Sequence, residues 1–77
     1  MSTLTISKSR KAIDLSFTED KMIFLLEDGR ELSIPLEWFP KLRSATIKQL
    51  KQWRFIGDGE GIHWSEIDED VSIENLL

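Results

Sequence analysis

The stretch KMIFLLEDGRELSIPL, Lys21–Leu36, decides the fold. Its first half places Met22, Phe24 and Leu26 on one face of an extended chain and Ile23 and Leu25 on the other. Side chains alternate across a strand, so this segment is apolar on both faces and predicts a central strand covered twice. Asp28-Gly29 follows, the pair that a tight type I′ hairpin turn requires for its positive φ angles. The return segment puts Leu32, Ile34 and Leu36 on one face, and Pro35 limits it to an edge or a strand end. Working backwards, AIDLSF sets Ile13, Leu15 and Phe17 against Asp14 and Ser16, a half-buried strand, with TED as the turn. Together these segments predict a three-stranded antiparallel meander.

Before it, Met1–Lys11 is polar and is expected to fray, although Leu4 and Ile6 alternate as a strand would. After it, Pro40 resists a continuous helix, and Trp38 and Phe39 belong to a turn anchored on the sheet. Trp38 is the tryptophan expected at the surface; the other large aromatics are expected in the core. Thr46-Ile47-Lys48-Gln49 fits a capping box, the Thr side chain accepting from the Gln backbone and the Gln side chain reaching back. A helix from Ile47 to Arg54 then places Ile47, Leu50 and Trp53 or Arg54 near one stripe. FIGDGEGIHW reads as a tight loop or hairpin, with Ile62 and Trp64 facing one way and His63 the other. Ser72 is positioned to cap a last helical turn.

The chain of 77 residues is long enough for one small domain, Met1–Leu77. Hydrophobic residues make up 40% and charged residues 31%, a globular balance. With no cysteine, disulfides and thiolate metal sites are excluded. No apolar run approaches a membrane span and no secretory signal is visible, so a cytoplasmic location and no membrane contact are expected. So small a core gains from a partner, which raises the prospect of a homo-oligomer or a protein complex. The net charge of −4 hides a division. Lys41, Arg43, Lys48, Lys51 and Arg54 form a basic block, while Gly57–Leu77 carries seven acidic residues and no Lys or Arg. Segregation of this kind suits docking or self-association.

The sharpest chemical candidate is GIHWSEIDEDV, where the single histidine, His63, precedes Glu66, Asp68, Glu69 and Asp70. Imidazole and carboxylates are suitable ligands for a divalent cation. The spacing matches neither H-E-x-x-H nor an EF-hand loop, in which Ile73 would occupy the obligatory glycine. A simpler role for the carboxylates is to precede a helix N-terminus, whose partial positive charge they favour. His63 with a carboxylate could serve acid–base chemistry, but no serine or cysteine nucleophile sits in a recognisable elbow. GDGEG loses as a phosphate cradle because Asp58 and Glu60 repel phosphate. No metal or other cofactor is expected, and the chain reads as a non-enzymatic protein. Lys48, Lys51 and Arg54 on one helix offer nucleic acid a basic face, yet a single helix does not make a helix-turn-helix, so binding by this chain alone is not expected.

Three segments, DGRELSIPLEWFP, LRSAT and GEGIHWSEIDEDVSIENLL, resemble a bacterial family known as domain of unknown function 2442, over roughly Ile13–Leu77. The resemblance implies a small α+β domain, sometimes joined to a helix-turn-helix. It also implies a gene beside another small protein, as in toxin–antitoxin pairs. No catalytic residue is established for the family, and none is carried over. Ser65 stands where a proline is common, and Ile47-Lys48 where a proline-glutamate pair often opens the helix, which makes this helix more basic. The resulting expectation is an α+β domain: the meander, one short helix packed on it, and a C-terminal strand or hairpin with a final helical turn. Its expected role is protein interaction, antitoxin-like or accessory to a neighbour-encoded protein. The alternative is a DNA-associated transcriptional regulator acting as an oligomer or with a partner. The expected surface is Trp38, Lys48, Lys51, Arg54, His63, Glu66, Asp68, Glu69 and Asp70.

Overall fold

The computed structural model describes residues 9–77, so the expected strand at Leu4 and Ile6 lies outside the described residues. The meander is present: β1 (Ala12–Phe17), β2 (Lys21–Leu26) and β3 (Glu31–Pro35) form an antiparallel sheet with β2 at its centre. Met22, Phe24 and Leu26 are buried, and the register sets Phe24 between Leu15 and Leu32 and Met22 beside Ile34. The second face of β2 is not closed over as expected. Ile23 and Leu25 remain half-buried, because their cross-strand neighbours are Ser16, Asp14, Ser33 and Glu31.

Two local features depart from the expected pattern. A bulge between Ala12 and Asp14 leaves Ile13 without a partner on β2 and 53% exposed, so buried Ala12 takes the inward position. The β2–β3 turn is not type I′. Gly29 has φ +93, but Asp28 does not share a positive φ. The Gly29 N–H donates to Leu26 O at 3.0 Å and the Leu26 N–H to Arg30 O at 2.8 Å. That is a type I turn closed by a glycine bulge, the usual three-residue hairpin. Asp28 holds it: its carboxylate accepts from the Arg30 guanidinium and from the backbone N–H groups of Ser9 and Arg30. The Arg30 side chain, then these two N–H groups, lower the Asp28 pKa from 3.8 to about 2.

A 3-10 turn, Leu36–Trp38, leads into two single-turn helices, α1 (Pro40–Arg43) and α2 (Ile47–Leu50). Pro40 opens α1, where its missing N–H costs nothing. The capping box at Thr46 is formed in both directions, 3.1 Å from the Gln49 N–H to Thr46 Oγ1 and 2.9 Å from the Thr46 N–H to Gln49 Oε1. The helix does not reach Arg54. It ends after one turn, and Trp53–Ile56 becomes strand β4. Trp, Phe and Ile favour strands, and Trp53 and Phe55 share one face with their rings edge-to-face at 5.0 Å.

The C-terminal part holds more strand than expected. β4, β5 (Gly61–Trp64) and β6 (Glu69–Ser72) make a second antiparallel meander, followed by α3 (Ile73–Leu76). Ile62 and Trp64 are buried and His63 faces the opposite way, as expected. Ser72 occupies the cap position of α3, but its side chain makes no capping hydrogen bond.

Buried side chains from both sheets and the helices form one cluster, including Phe24, Met22, Leu42, Leu50, Trp64 and Ile73. The Trp64 indole N–H donates to Leu50 O at 3.0 Å, which satisfies a carbonyl at the end of α2. Gly59 joins the sheets. Its carbonyl accepts the Ala12 N–H at 2.7 Å, and a Cβ added there would stand 2.2 Å from Ala12 O. With φ +98, that position needs glycine for both its backbone angle and its close approach. Among the described residues no helix is long and apolar enough to cross a membrane.

Candidate interaction surface

The expected surface residues fall into two groups. The first is a row across the outer face of the second sheet. The register aligns Arg54 with His63 and His63 with Asp70. The His63 ring Nδ1 contacts the Asp70 carboxylate; a carboxylate only accepts, so the ring donates. The His63 side chain is 22% exposed and that of Asp70 67%, so the pair lies on an open strand face. Arg54 is therefore a strand residue, and the helical face of Lys48, Lys51 and Arg54 is not formed, because β4 begins at Trp53.

The acidic run is dispersed. Glu66 accepts from the Gln49 side chain at 3.4 Å, and the Glu69 side chain accepts the Asp70 N–H at 3.1 Å. Asp68 sits in the β5–β6 turn at φ +50, and its carbonyl accepts from Lys41 Nζ at 3.2 Å. Glu69 and Asp70 belong to β6, the strand that leads directly into α3. Among the described residues no three His, Asp or Glu side chains converge in a way that could hold a metal ion.

The second group surrounds the two short helices. Phe17, Leu36, Ala45, Ile47 and Leu50 line a groove of about 440 Å³, with Arg43, Lys51 and Glu19 also on its walls. Ile47, expected in the buried stripe, is 72% exposed there. The capping box fixes Ile47 as the first helical residue, and one turn later Leu50, not Ile47, enters the core. Trp38 is exposed at 63%, as expected, but does not line the groove. Among the described residues Lys41, Arg43, Lys48, Lys51 and Arg54 make no salt bridge, so the basic block is not neutralised from within. The groove and Arg43's place in it escaped the sequence reading, since Phe17 and Ala45 are distant in sequence. An apolar residue directly after a capping threonine was the available signal.

Two antiparallel meanders around one small core, with charged and apolar side chains displayed on open surfaces, define a small α+β domain. The chain belongs to the family described as "Protein of unknown function (DUF2442)", whose model matches residues 12–77. Two solved structures are similar. One is a crystal structure of a protein of unknown function from Rhodospirillum rubrum, 28% identical with a TM-score of 0.74, covering 86% of this chain and 82% of that one. The other is a solution NMR structure of an uncharacterized protein from Chromobacterium violaceum, 26% identical with a TM-score of 0.73. That match covers 87% of this chain and 63% of the other, under two thirds of its length. Among curated proteins nothing matches significantly.

Proposed function

We propose that the protein is a non-enzymatic interaction module that binds a protein partner through the groove beside α1 and α2. The observation that carries this reading is Ile47, 72% exposed beside an apolar groove with Arg43 and Lys51 on its walls. Large exposed apolar side chains within such a groove favour association. Two unpaired cations against one carboxylate, Glu19, favour a segment with apolar anchors and acidic flanks. An antitoxin-like or accessory role with a neighbour-encoded protein is the form of this function that the family resemblance suggests. DNA regulation has less support: α1 and α2 have four residues each, whereas a recognition helix must lay several side chains along a major groove.

Gentle purification from the native host tests the proposal. The wild-type protein is expected to retain a protein partner, and Ile47→Asp and Lys51→Glu each to weaken retention at least tenfold while leaving the fold intact by circular dichroism. Retention unchanged in both variants, or no partner retained, would remove the groove from consideration. Binding to duplex DNA that weakens steeply with salt would favour the regulator instead.

A further inference from the structure

We propose that β4 is a pairing edge through which two copies of this chain join, antiparallel β4 against β4, into one continuous six-stranded sheet. β4 lies at the edge of its three-stranded sheet, with one side of its backbone unpaired by any strand. An unpaired strand edge is a template for another strand, and sheets usually blunt such edges with bulges, prolines or charge. The other three edges are blunted. β1 is bulged at Ile13, β3 ends at Pro35, and β6 carries Glu69 and Asp70. β4 has neither bulge nor proline, its single charge is Arg54, and it displays Phe55 at 37% and Ile56 at 43% exposure.

The sequence of β4 selects a second copy as the occupant. Two-fold antiparallel pairing keeps each side chain on its own face, so the symmetry axis passes through Arg54, Phe55 or Ile56. Centring on Arg54 sets two guanidinium groups opposite each other, which is unfavourable. Centring on Ile56 leaves only Ile56 facing a strand residue, because Phe55 and Arg54 then lie against Gly57 and Asp58, beyond the end of β4. Centring on Phe55 places the two Phe55 rings together and Arg54 of each copy across from Ile56 of the other. The aliphatic stem of arginine covers such a neighbour well. The guanidinium then extends towards the turn holding Asp58, whose side chain is 86% exposed and lies 3.8 Å from Lys11 Nζ of its own chain, a loose contact that leaves the carboxylate open to a second cation. Each copy thus supplies the cation and the anion of two symmetric contacts. A four-residue strand pair buries less than a standard stable interface, so a weak dimer that dissociates on dilution is expected.

Sedimentation equilibrium from low-micromolar to millimolar concentration is the test. The wild type is expected to pass from monomer to dimer, with amide shifts at Trp53–Ile56 moving in step. Phe55→Glu and Ile56→Lys each set like charges across the pair and should weaken the dimer at least tenfold, with circular dichroism confirming the fold. Ile13→Lys, on the bulged edge of the other sheet, should leave the equilibrium unchanged. A monomer at every concentration, a dimer insensitive to both β4 variants, or equal weakening by Ile13→Lys would overturn the proposal.

Discussion

Gly59→Ala is the substitution on which the joint between the two sheets depends. Two costs arise separately. At φ +98 an alanine is strained by about 1–2 kcal/mol. Its Cβ would also lie 2.2 Å from Ala12 O, a backbone atom that cannot swing aside as a side-chain tip would. Relief of that clash moves the β4–β5 turn away from β1 and breaks the 2.7 Å bond from the Ala12 N–H to Gly59 O. A buried backbone group left unsatisfied adds about 1–3 kcal/mol. The expected loss is about 2–5 kcal/mol, out of roughly 4–12 kcal/mol for a chain of this length. Gly29→Ala provides the control. Its φ is +93, but nothing lies within 4 Å of the added Cβ. It should therefore cost the strain alone, about 1–2 kcal/mol. Urea unfolding followed by tryptophan fluorescence and circular dichroism measures both. At about 4–8 °C per kcal/mol, Gly59→Ala should also melt at least ~8 °C lower than the wild type. Equal losses for the two variants would refute the close-approach argument.

Further outcomes follow from the same contacts. Thr46→Ala removes one half of the capping box and should lower stability by about 1 kcal/mol in urea unfolding. Trp64→Phe keeps most of the buried ring but strips Leu50 O of its donor, for a loss of about 1–3 kcal/mol. Asp28 sets an acid limb. Because its folded pKa is depressed from 3.8 to about 2, its contribution is present above the higher value and is lost as pH falls through that window. Asp28→Asn should therefore flatten the dependence of the urea midpoint on pH between those two values.

The first meander was readable because Met22, Phe24 and Leu26 alternate on one face; that the other face stays half-open was not, because Ile23 and Leu25 read as covered until their neighbours Ser16, Asp14, Ser33 and Glu31 are placed beside them. The turn type was not, because Asp-Gly suits both a type I′ turn and a type I turn with a glycine bulge. The bulge at Ile13 hides in a sequence that alternates through it. For Trp53–Ile56, helical spacing from Leu50 competed with a period-two pattern of aromatics. The strand prevails because β5 supplies a partner, and that pairing is not local in sequence. The capping box was legible because its four residues interact with one another. Trp38 was legible as exposed from its place beside the Pro40 turn. The grouping of surface residues was not, since Arg54, His63 and Asp70 become neighbours only through strand register. The groove similarly combines Phe17 from β1 with Ala45 and Ile47 across the fold.

The most direct test of partner binding at the α1–α2 groove is an amide shift map. The labelled protein would be titrated with the partner it retains on gentle purification. The account predicts shifts centred on Phe17, Ala45, Ile47, Leu50 and Lys51. Shifts centred on the Arg54–His63–Asp70 row, with those five amides unmoved, would contradict it.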